Sequence, residues 1–193
     1  MEPVQQTAND FLPANYEIPA SPSNYMKFED GLNSIRILSS AVVGYEYFNT
    51  DNKPVRSKEQ FEFEPTDIKK DGKVKPFWAF VVWNYKHKRV QILELTQKTI
   101  MLSIKALANN PKWGNPKMYD IAITKTGEGL ETEYNVQGEP PIAAPEEGIN
   151  NQYNKVTVNL EALFTGADPF SNTPATQPVS NEVPIESLDT ILS

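Results

Sequence analysis

Hydrophobic and polar residues alternate through much of the central part of the chain, which is the pattern of half-buried β-strands. The run at 33–48, NSIRILSSAVVGYEYF, alternates about Ile35 and Ile37 and then passes Gly44. A glycine at this point permits a sharp bend or bulge, so the run predicts one long, bent first strand. After the turn residues 51–54, a second run reaches Phe61 and Phe63 and predicts a second strand.

The strongest strand signal is a hairpin. PFWAFVVWNY at 76–85 is followed by a short basic turn, KHKR at 86–89, and then by VQILEL at 90–95. Both faces of the first strand carry bulky side chains, although a barrel core requires only one of them. The second face is therefore either covered by another element or exposed as a platform on which bases stack.

The register of this hairpin decides between the two faces. A turn at His87-Lys88 pairs Trp83 with Ile92 and leaves Trp83 and Tyr85 outside the core. A three-residue turn would change these pairings. The alternative to an exposed platform is that every ring is buried in a core or in a dimer interface. If the turn is at His87-Lys88, the predicted core face consists of Phe80, Val82, Leu93 and Leu95.

The period changes to that of a helix at 96–109, where Ile100, Ile104 and Leu107 share one face, Thr96 is the predicted N-cap and 109–111 end the helix. Alternation returns at 119–125 and 131–136. A long bent strand, a hairpin, a helix and two further strands predict an all-β fold. Its form is a five-stranded Greek-key β-barrel of the OB type with one helix.

The prolines divide the chain into four predicted parts. Many of the 16 prolines lie near the two ends or around residue 140. We predict a flexible N-terminal arm at 1–24 and an OB-fold domain at 25–138. A linker at 139–170 follows, in which 156–164 packs onto the barrel as a short strand or helix. The last part is a disordered acidic tail at 171–193.

Charge is segregated along the same divisions. Residues 25–125 contain 17 Lys+Arg against 11 Asp+Glu, whereas residues 126–193 contain one base against 11 acids. Ten of the 20 aromatic residues lie between Tyr45 and Tyr85, inside the basic part. Cations that follow phosphates, beside rings that stack on bases, are typical of proteins that bind single-stranded nucleic acid. The net charge of −7 therefore does not exclude such a partner.

Three groups of cations beside aromatic residues supply the candidate nucleic-acid-binding residues. The predicted stacking side chains are Tyr45, Tyr47, Trp83, Tyr85 and Trp113. The predicted phosphate contacts are Lys53, Arg56, Lys58, Lys86, Lys88 and Arg89. As an expected outcome, Trp83→Ala weakens binding of single-stranded DNA without unfolding the protein.

Several classes of function are excluded or disfavoured by composition. The chain has no cysteine and one histidine, His87, which removes disulfides, thiolate metal sites and histidine-based catalytic triads. No phosphate loop or paired nucleophile and base is present, so we predict no enzymatic activity, no catalytic residues, no metal and no cofactor. The absence of a long apolar run predicts a cytoplasmic protein without a membrane partner.

Six stretches carry a resemblance to a known family: FEDGLNSIRIL (28–38), VGYEYF (43–48), KPFWAFVVWNY (75–85), VQILELTQKTI (90–100), KWGNPKMYDIAITKTGEGLETEY (112–134) and NLEALFTGADPF (159–170). They resemble the single-stranded DNA-binding proteins of tailed bacteriophages. The resemblance implies an OB-fold that coats and protects single-stranded DNA during phage replication, recombination and repair in the infected bacterial cell. Single-stranded RNA is an alternative ligand.

The same resemblance implies that the acidic C-terminal peptide recruits replication or recombination proteins. The candidate partner-binding residues are Glu186, Leu188, Asp189, Ile191 and Leu192. The rival hypothesis is a non-catalytic protein-interaction or virion assembly module that uses the exposed aromatic face. Salt separates the two, because phosphate contacts weaken steeply as salt rises whereas an apolar interface tolerates it.

Overall fold

A computed structural model describes residues 23–140 and 146–171. Within these residues the protein is mostly β, with one sheet of antiparallel strands, and this class was predicted correctly. The sheet has seven strands, however, and the described residues form two α-helices, so the prediction of five strands and one helix was wrong. Most of the predicted N-terminal arm and acidic tail, including the candidate partner-binding residues, lies outside the described residues, and the predicted domain boundaries stay predictions.

The elements follow one another in a simple order. The strands are β1 (Gly31–Ile37), β2 (Val42–Phe48), β3 (Pro54–Ser57), β4 (Lys75–Asn84), β5 (Arg89–Leu95), β6 (Asp120–Thr126) and β7 (Glu133–Glu139). The α-helices are α1 (Lys98–Asn109) and α2 (Glu146–Asn154), and short 3₁₀-helices span Pro116–Met118, Gly129–Glu131 and Leu160–Phe164.

The first two strands act as one long strand with a bend between them. Both pair with the same edge of β4, because Val42 lies opposite Ala79 and Ile37 lies opposite Val82, whereas β5 pairs with the other edge. The bend falls at residues 38–41, where the Leu38 N–H donates to the Val81 carbonyl over 2.9 Å. The bent strand was predicted correctly, but its bend is not at Gly44.

Gly44 has a different role, which is close packing. A Cβ atom at this position would lie 2.2 Å from the Ser57 carbonyl oxygen and 2.8 Å from the Phe164 ring. Any side chain would therefore push β3 and the 3₁₀-helix Leu160–Phe164 away from β2.

The sheet does not close into a barrel. Its paired path runs β3-β2-β4-β1-β6-β7, and β5 pairs with β4 beside this path. Among the described residues no ladder joins β5 to β7, and the free edge of β5 instead pairs with the segment before β1. There the Met26 N–H donates to the Ile92 carbonyl over 2.8 Å. An open seam therefore remains where a closed barrel was expected.

One face of the sheet forms the main core. The predicted core residues Phe80, Val82, Leu93 and Leu95 are all buried in it, so this face was assigned correctly. The predicted register was wrong: Trp83 lies opposite Val90 because residues 85–88 form a four-residue loop. The error is a shift of two residues, which leaves every side chain on its predicted face. α1 covers this core with its buried residues Ile100, Met101 and Ile104.

The opposite face of β4 forms a second core. Phe77, Ala79 and Val81 are buried there against Leu160 and Leu163 of the C-terminal 3₁₀-helix. Since β4 is apolar on both faces, it requires a cover on each side. The segment 156–164 thus packs onto the sheet as predicted. Of the two predicted conformations, strand or helix, it adopts the helical one at Leu160–Phe164.

Two local predictions were wrong. The N-cap position of α1 is Gln97 and not Thr96, and its side chain accepts from the Thr96 N–H over 3.1 Å instead of capping the helix. Phe61 and Phe63 lie in the loop after β3 and not in a strand. That loop folds back on β2, since the Phe61 ring contacts the Tyr47 ring edge-on at 5.3 Å between centroids. The helix end at Asn109 was predicted correctly.

Candidate nucleic-acid interface

The outer face of β4 is not an exposed stacking platform. Trp83 is only 9% exposed, so the prediction that its ring faces solvent was wrong. The C-terminal segment covers this face: Leu160 and Leu163 pack on Phe77 and Val81, and α2 contacts β5 nearby. The sequence left open whether the second face of β4 is covered or exposed, and the structure shows that another element covers it.

Tyr85 is held in a polar network. Its hydroxyl donates to Asp120 Oδ1 over 2.9 Å, and Arg36 Nε donates to the same oxygen over 2.6 Å. Asp120 is fully buried, and such a carboxylate requires partners of this kind. The half-buried Tyr85 ring is therefore fixed by the fold rather than free to rotate toward a base.

An acid that precedes β1 pairs with two residues of the hairpin tip. The carboxylate of Glu29 accepts from Lys86 Nζ and lies 2.7 Å from His87 Nε2. These hydrogen bonds, first that from Lys86 and then that from His87, lower the pKa of Glu29 below its ordinary value. Lys88 is exposed in a left-handed conformation, with φ of 50°. The tip is thus less positive than its sequence suggests.

Arg56 serves the interior rather than the surface. Its side chain is 9% exposed and makes ion pairs with Glu46 over 2.7 Å and with Glu94 over 2.9 Å. Its guanidinium carbon also lies 4.4 Å from the centroid of the Phe77 ring. Lys58 is exposed, but it pairs with Glu161 over 2.6 Å. The guanidinium of Arg56 is thus held inside the protein, whereas Lys58 remains exposed beside its acidic partner.

The remaining predicted residues are scattered. Tyr47 is buried with its hydroxyl donating to Asp67 over 2.8 Å, while Tyr45 is half-buried and Lys53 is exposed. Trp113 is 36% exposed and packs at 5.0 Å, between centroids, on Tyr119. The predicted set therefore does not form one surface.

Sequence reasoning missed a compact group of cations between β3 and β4. Lys69 and Lys70 precede the turn Asp71-Gly72, and Lys73 and Lys75 follow it, so the turn brings four exposed lysines together. The Gly72 N–H closes the turn by donating to the Lys69 carbonyl over 2.8 Å. Among the described residues none of these lysines has a carboxylate within ion-pair distance.

These lysines line an open cleft of about 450 Å³, here named the lysine cleft. Its wall includes the end of β2, where Phe48 is 46% exposed beside the buried Tyr47. The Lys69 N–H donates to the Phe48 carbonyl over 2.8 Å, which fixes the lysine turn against this strand end. The cleft thus combines unpaired cations with an accessible aromatic ring.

A second cleft of about 660 Å³ lies in the open seam between β5 and β7, here named the seam cleft. Phe28 and Tyr134 meet there with 5.5 Å between ring centroids, next to Tyr25. Lys27 is exposed at its edge, and Lys125 pairs with Asp30 over 2.6 Å. Its floor carries Arg56, Glu94 and Leu93.

Burial shifts two titrating groups of the seam cleft. It raises the pKa of Glu94, with Arg56 opposing the shift. Burial, and then the nearby Glu94 carboxylate, also raise the pKa of Tyr25. The Tyr25 hydroxyl is therefore protonated at neutral pH and is available as a hydrogen-bond donor.

The two clefts adjoin each other. Thr96 lines the lysine cleft and the next residue, Gln97, lines the seam cleft. Glu46 and Arg56, which are joined by their ion pair, likewise line one cleft each. A single strand of nucleic acid can therefore pass from unpaired lysines and Phe48 to the rings of the seam cleft.

A sequence signal for the lysine cleft existed. The string KKDGKVK at 69–75 holds four lysines around a turn dipeptide, a pattern that a search for cations interleaved with aromatics overlooks. The rings of the seam cleft, by contrast, come from segments more than a hundred residues apart, and only the fold joins them.

Within residues 23–140 and 146–171, no group of three or more His, Asp or Glu side chains is arranged to hold a metal ion. In the same ranges no helix has the length and apolar character needed to cross a membrane. The absence of a cofactor and of catalysis stays a prediction.

The chain is similar to a curated protein of Escherichia phage T5, described as a "Probable ssDNA-binding protein". The two are 27% identical over 140 residues, which cover 58% of this chain and 54% of the phage protein. The chain thus spans about half the length of this relative. The resemblance to phage single-stranded DNA-binding proteins is confirmed as a distant similarity. No protein-family model and no solved structure matches the chain.

Proposed function

We propose that this protein binds single-stranded DNA, without requiring a defined sequence, along the path formed by the lysine cleft and the seam cleft. The observation that carries the proposal is a group of four exposed lysines beside the accessible Phe48 ring, and these lysines are unpaired within the part of the chain that the structure describes. Lysines that neutralise phosphates release counterions, and rings that stack on bases contribute about 1–3 kcal/mol per base. Together these groups supply both parts of sequence-independent binding.

Two further observations support the proposal. The distant phage relative bears the description of a probable ssDNA-binding protein. The order of elements, a bent first strand, a hairpin, a helix and a second hairpin, is also that of an OB-type fold, although the sheet is open. OB-folds bind oligonucleotides on their second and third strands and in two of their loops, and in this order of elements the seam lies beside the third strand, β5.

The biological setting that we propose is the infected bacterial cytoplasm. There the protein would coat and protect single-stranded DNA in phage replication, recombination and repair, as a non-catalytic binding protein. Single-stranded RNA is the alternative ligand. The acidic C-terminal peptide would recruit replication or recombination proteins.

The decisive experiment is a fluorescence anisotropy titration with labelled oligo-dT at low and high salt. We expect binding at low salt and strong weakening at high salt, because the phosphate contacts depend on counterion release. A double variant, Lys70→Glu with Lys73→Glu, should weaken binding at low salt. The matched control is Lys105→Glu with Lys155→Glu, which makes the same charge change at two exposed residues that line neither cleft.

Absence of binding at low salt by the folded wild-type protein would overturn the proposal. Equal weakening by the two double variants would show a general effect of charge and would mean that the lysine cleft is not the binding site. A salt-tolerant oligomer that binds no oligonucleotide would instead favour the rival protein-interaction module. That rival hypothesis required an exposed aromatic face on β4, but among the described residues Leu160 and Leu163 pack on this face.

The acidic tail provides a separate test. If the tail competes with DNA for the lysine cleft, removal of residues 171–193 should tighten binding to oligo-dT at low salt. Competition between like charges for one cation cluster is the physical reason. Unchanged affinity, measured by the same titration, would leave the tail only a role in docking partners.

A further inference from the structure

The floor of the seam cleft carries a carboxylate, which is an unexpected group on a path for a polyanion. Glu94 projects from β5 with its side chain 29% exposed. Arg56 Nη2 donates to Glu94 Oε2 over 2.9 Å. Among the described residues, Glu94 Oε1 makes no hydrogen bond. One acceptor atom of the floor is therefore unused.

The charge of the floor does not favour phosphate. Arg56 is shared between Glu94 and Glu46, so one guanidinium faces two carboxylates. Glu46 is buried on the side of the lysine cleft, and only Glu94 lines the seam cleft. A phosphate would be repelled at this point, whereas a neutral group with N–H donors would be attracted.

The walls of the cleft fit a planar, neutral group. Phe28 and Tyr134 form a ring pair at 5.5 Å and line the cleft together with Tyr25 and Glu94, and the cavity of about 660 Å³ is within the range of small-molecule sites. Lys27 is exposed at the edge, where a phosphate next to the base can reach it. The arrangement therefore provides rings for the face of a base, an acceptor for its edge and a cation for its backbone.

We infer that the seam cleft is a nucleobase subsite in which Glu94 accepts a hydrogen bond from an exocyclic amino group. This inference rests on the proposed function. Cytosine presents an N4 amino donor at this edge, whereas uracil and thymine present an O4 acceptor that faces the carboxylate unfavourably. Binding thus remains independent of sequence along the phosphates but prefers bases with amino groups at this one subsite.

The test compares labelled oligo-dC and oligo-dU of equal length with the wild-type protein at neutral pH and low salt. These bases differ at the 4-position and in the protonation of N3, and neither carries a methyl group. We expect oligo-dC to bind about tenfold more tightly, as suits one hydrogen bond to a charged acceptor. Equal affinities would overturn the inference while leaving the proposed function intact. Failure of both oligonucleotides to bind would contradict the proposed function itself.

Glu94→Gln tests whether Glu94 causes the preference for oligo-dC over oligo-dU, and Glu46→Gln is the matched control. Each variant removes one carboxylate from the same guanidinium, but only Glu94 lines the seam cleft. We expect the ratio of the two affinities to fall toward one in Glu94→Gln and to persist in Glu46→Gln. A folded Glu94→Gln protein that keeps the wild-type ratio would overturn the inference. If circular dichroism shows that this variant is unfolded, Glu94→Asp, which withdraws the carboxylate by one methylene, should reduce the ratio instead.

Discussion

Three of the four aromatic side chains of β4 are buried, and other, more accessible rings lie at the end of β2 and in the seam. Trp83 and Phe77 are buried, whereas Phe48 is 46% exposed and Phe28 is half-buried. Ring size and neighbouring charge therefore did not identify the accessible rings. Burial depends on which segment returns to cover a face, and a single strand does not carry that information.

Truncation of Trp83 should affect stability rather than DNA contact. We expect Trp83→Ala to lower the free energy of unfolding by about 3–5 kcal/mol, because it removes a large buried ring and leaves a cavity. Urea denaturation followed by circular dichroism measures this loss. A folded variant of wild-type stability with weakened DNA binding would instead support the original, exposed assignment of this ring.

The ion cluster at the hairpin tip should be visible in the titration of Glu29. Hydrogen bonds from Lys86 and His87 lower the pKa of this carboxyl, so its contribution to stability is present above the ordinary glutamate value. The contribution is lost as the pH falls through the lowered pKa. Nuclear magnetic resonance titration should give a midpoint below that of a free glutamate.

Lys86→Ala supplies the control for this titration. The variant removes the first of the two hydrogen bonds and should raise the midpoint of Glu29 toward its ordinary value. An unchanged midpoint would show that the pair does not persist in solution, as is common for exposed ion pairs.

At the scale of elements, the C-terminal segment is part of the folded core. The 3₁₀-helix Leu160–Phe164 buries Leu160 and Leu163 on the second face of β4, and Phe164 contacts Phe77 edge-on at 6.2 Å between centroids. Lys58 adds an exposed ion pair to Glu161. The segment is a cover that the doubly apolar strand β4 requires.

Loss of apolar contact in this cover should destabilise the whole sheet. Leu163→Ala is expected to lower the free energy of unfolding by about 2–5 kcal/mol, because the side chain is buried against β4. Glu161→Ala in the same helix is the control, since an exposed ion pair contributes little. Similar losses in the two variants, measured by thermal or urea denaturation, would contradict the role of the segment as a core element.

At the scale of the whole molecule, charge is distributed by position in the fold. The lysine turn lies at the start of β4 and the hairpin tip at its end, and ten residues of strand separate them by roughly 30 Å. Glu29 pairs with Lys86 of the tip and Glu46 pairs with Arg56, whereas the lysine turn is unpaired among the described residues. The lysine turn is therefore a positive surface that a polyanion can reach, although the net charge is −7.

The salt dependence of binding should report on this surface. For single strands, each neutralised phosphate changes the slope of log K against log salt by about −0.7. Replacing Lys70 and Lys73 with glutamine should therefore reduce the magnitude of the slope by about 1.4. Anisotropy titrations at several salt concentrations measure it, and an unchanged slope would place the phosphates elsewhere.

The sequence by itself determined much of the local structure. Alternation located the hairpin, β6, β7 and the core face of β4, and the helical period located α1. Charge segregation indicated a polyanion as the partner. These features depend on neighbouring residues, which is why a pattern along the chain reveals them.

Only the tertiary structure decided which surfaces remain accessible. The cover of Phe77 and Val81 by Leu160 and Leu163, the pairing of Arg56 with Glu46 and Glu94, and the open seam beside Phe28 all join distant segments. Burial and ion pairing are properties of such long-range contacts. The same basic, aromatic composition is compatible with several surfaces, and the fold selects the lysine cleft and the seam cleft among them.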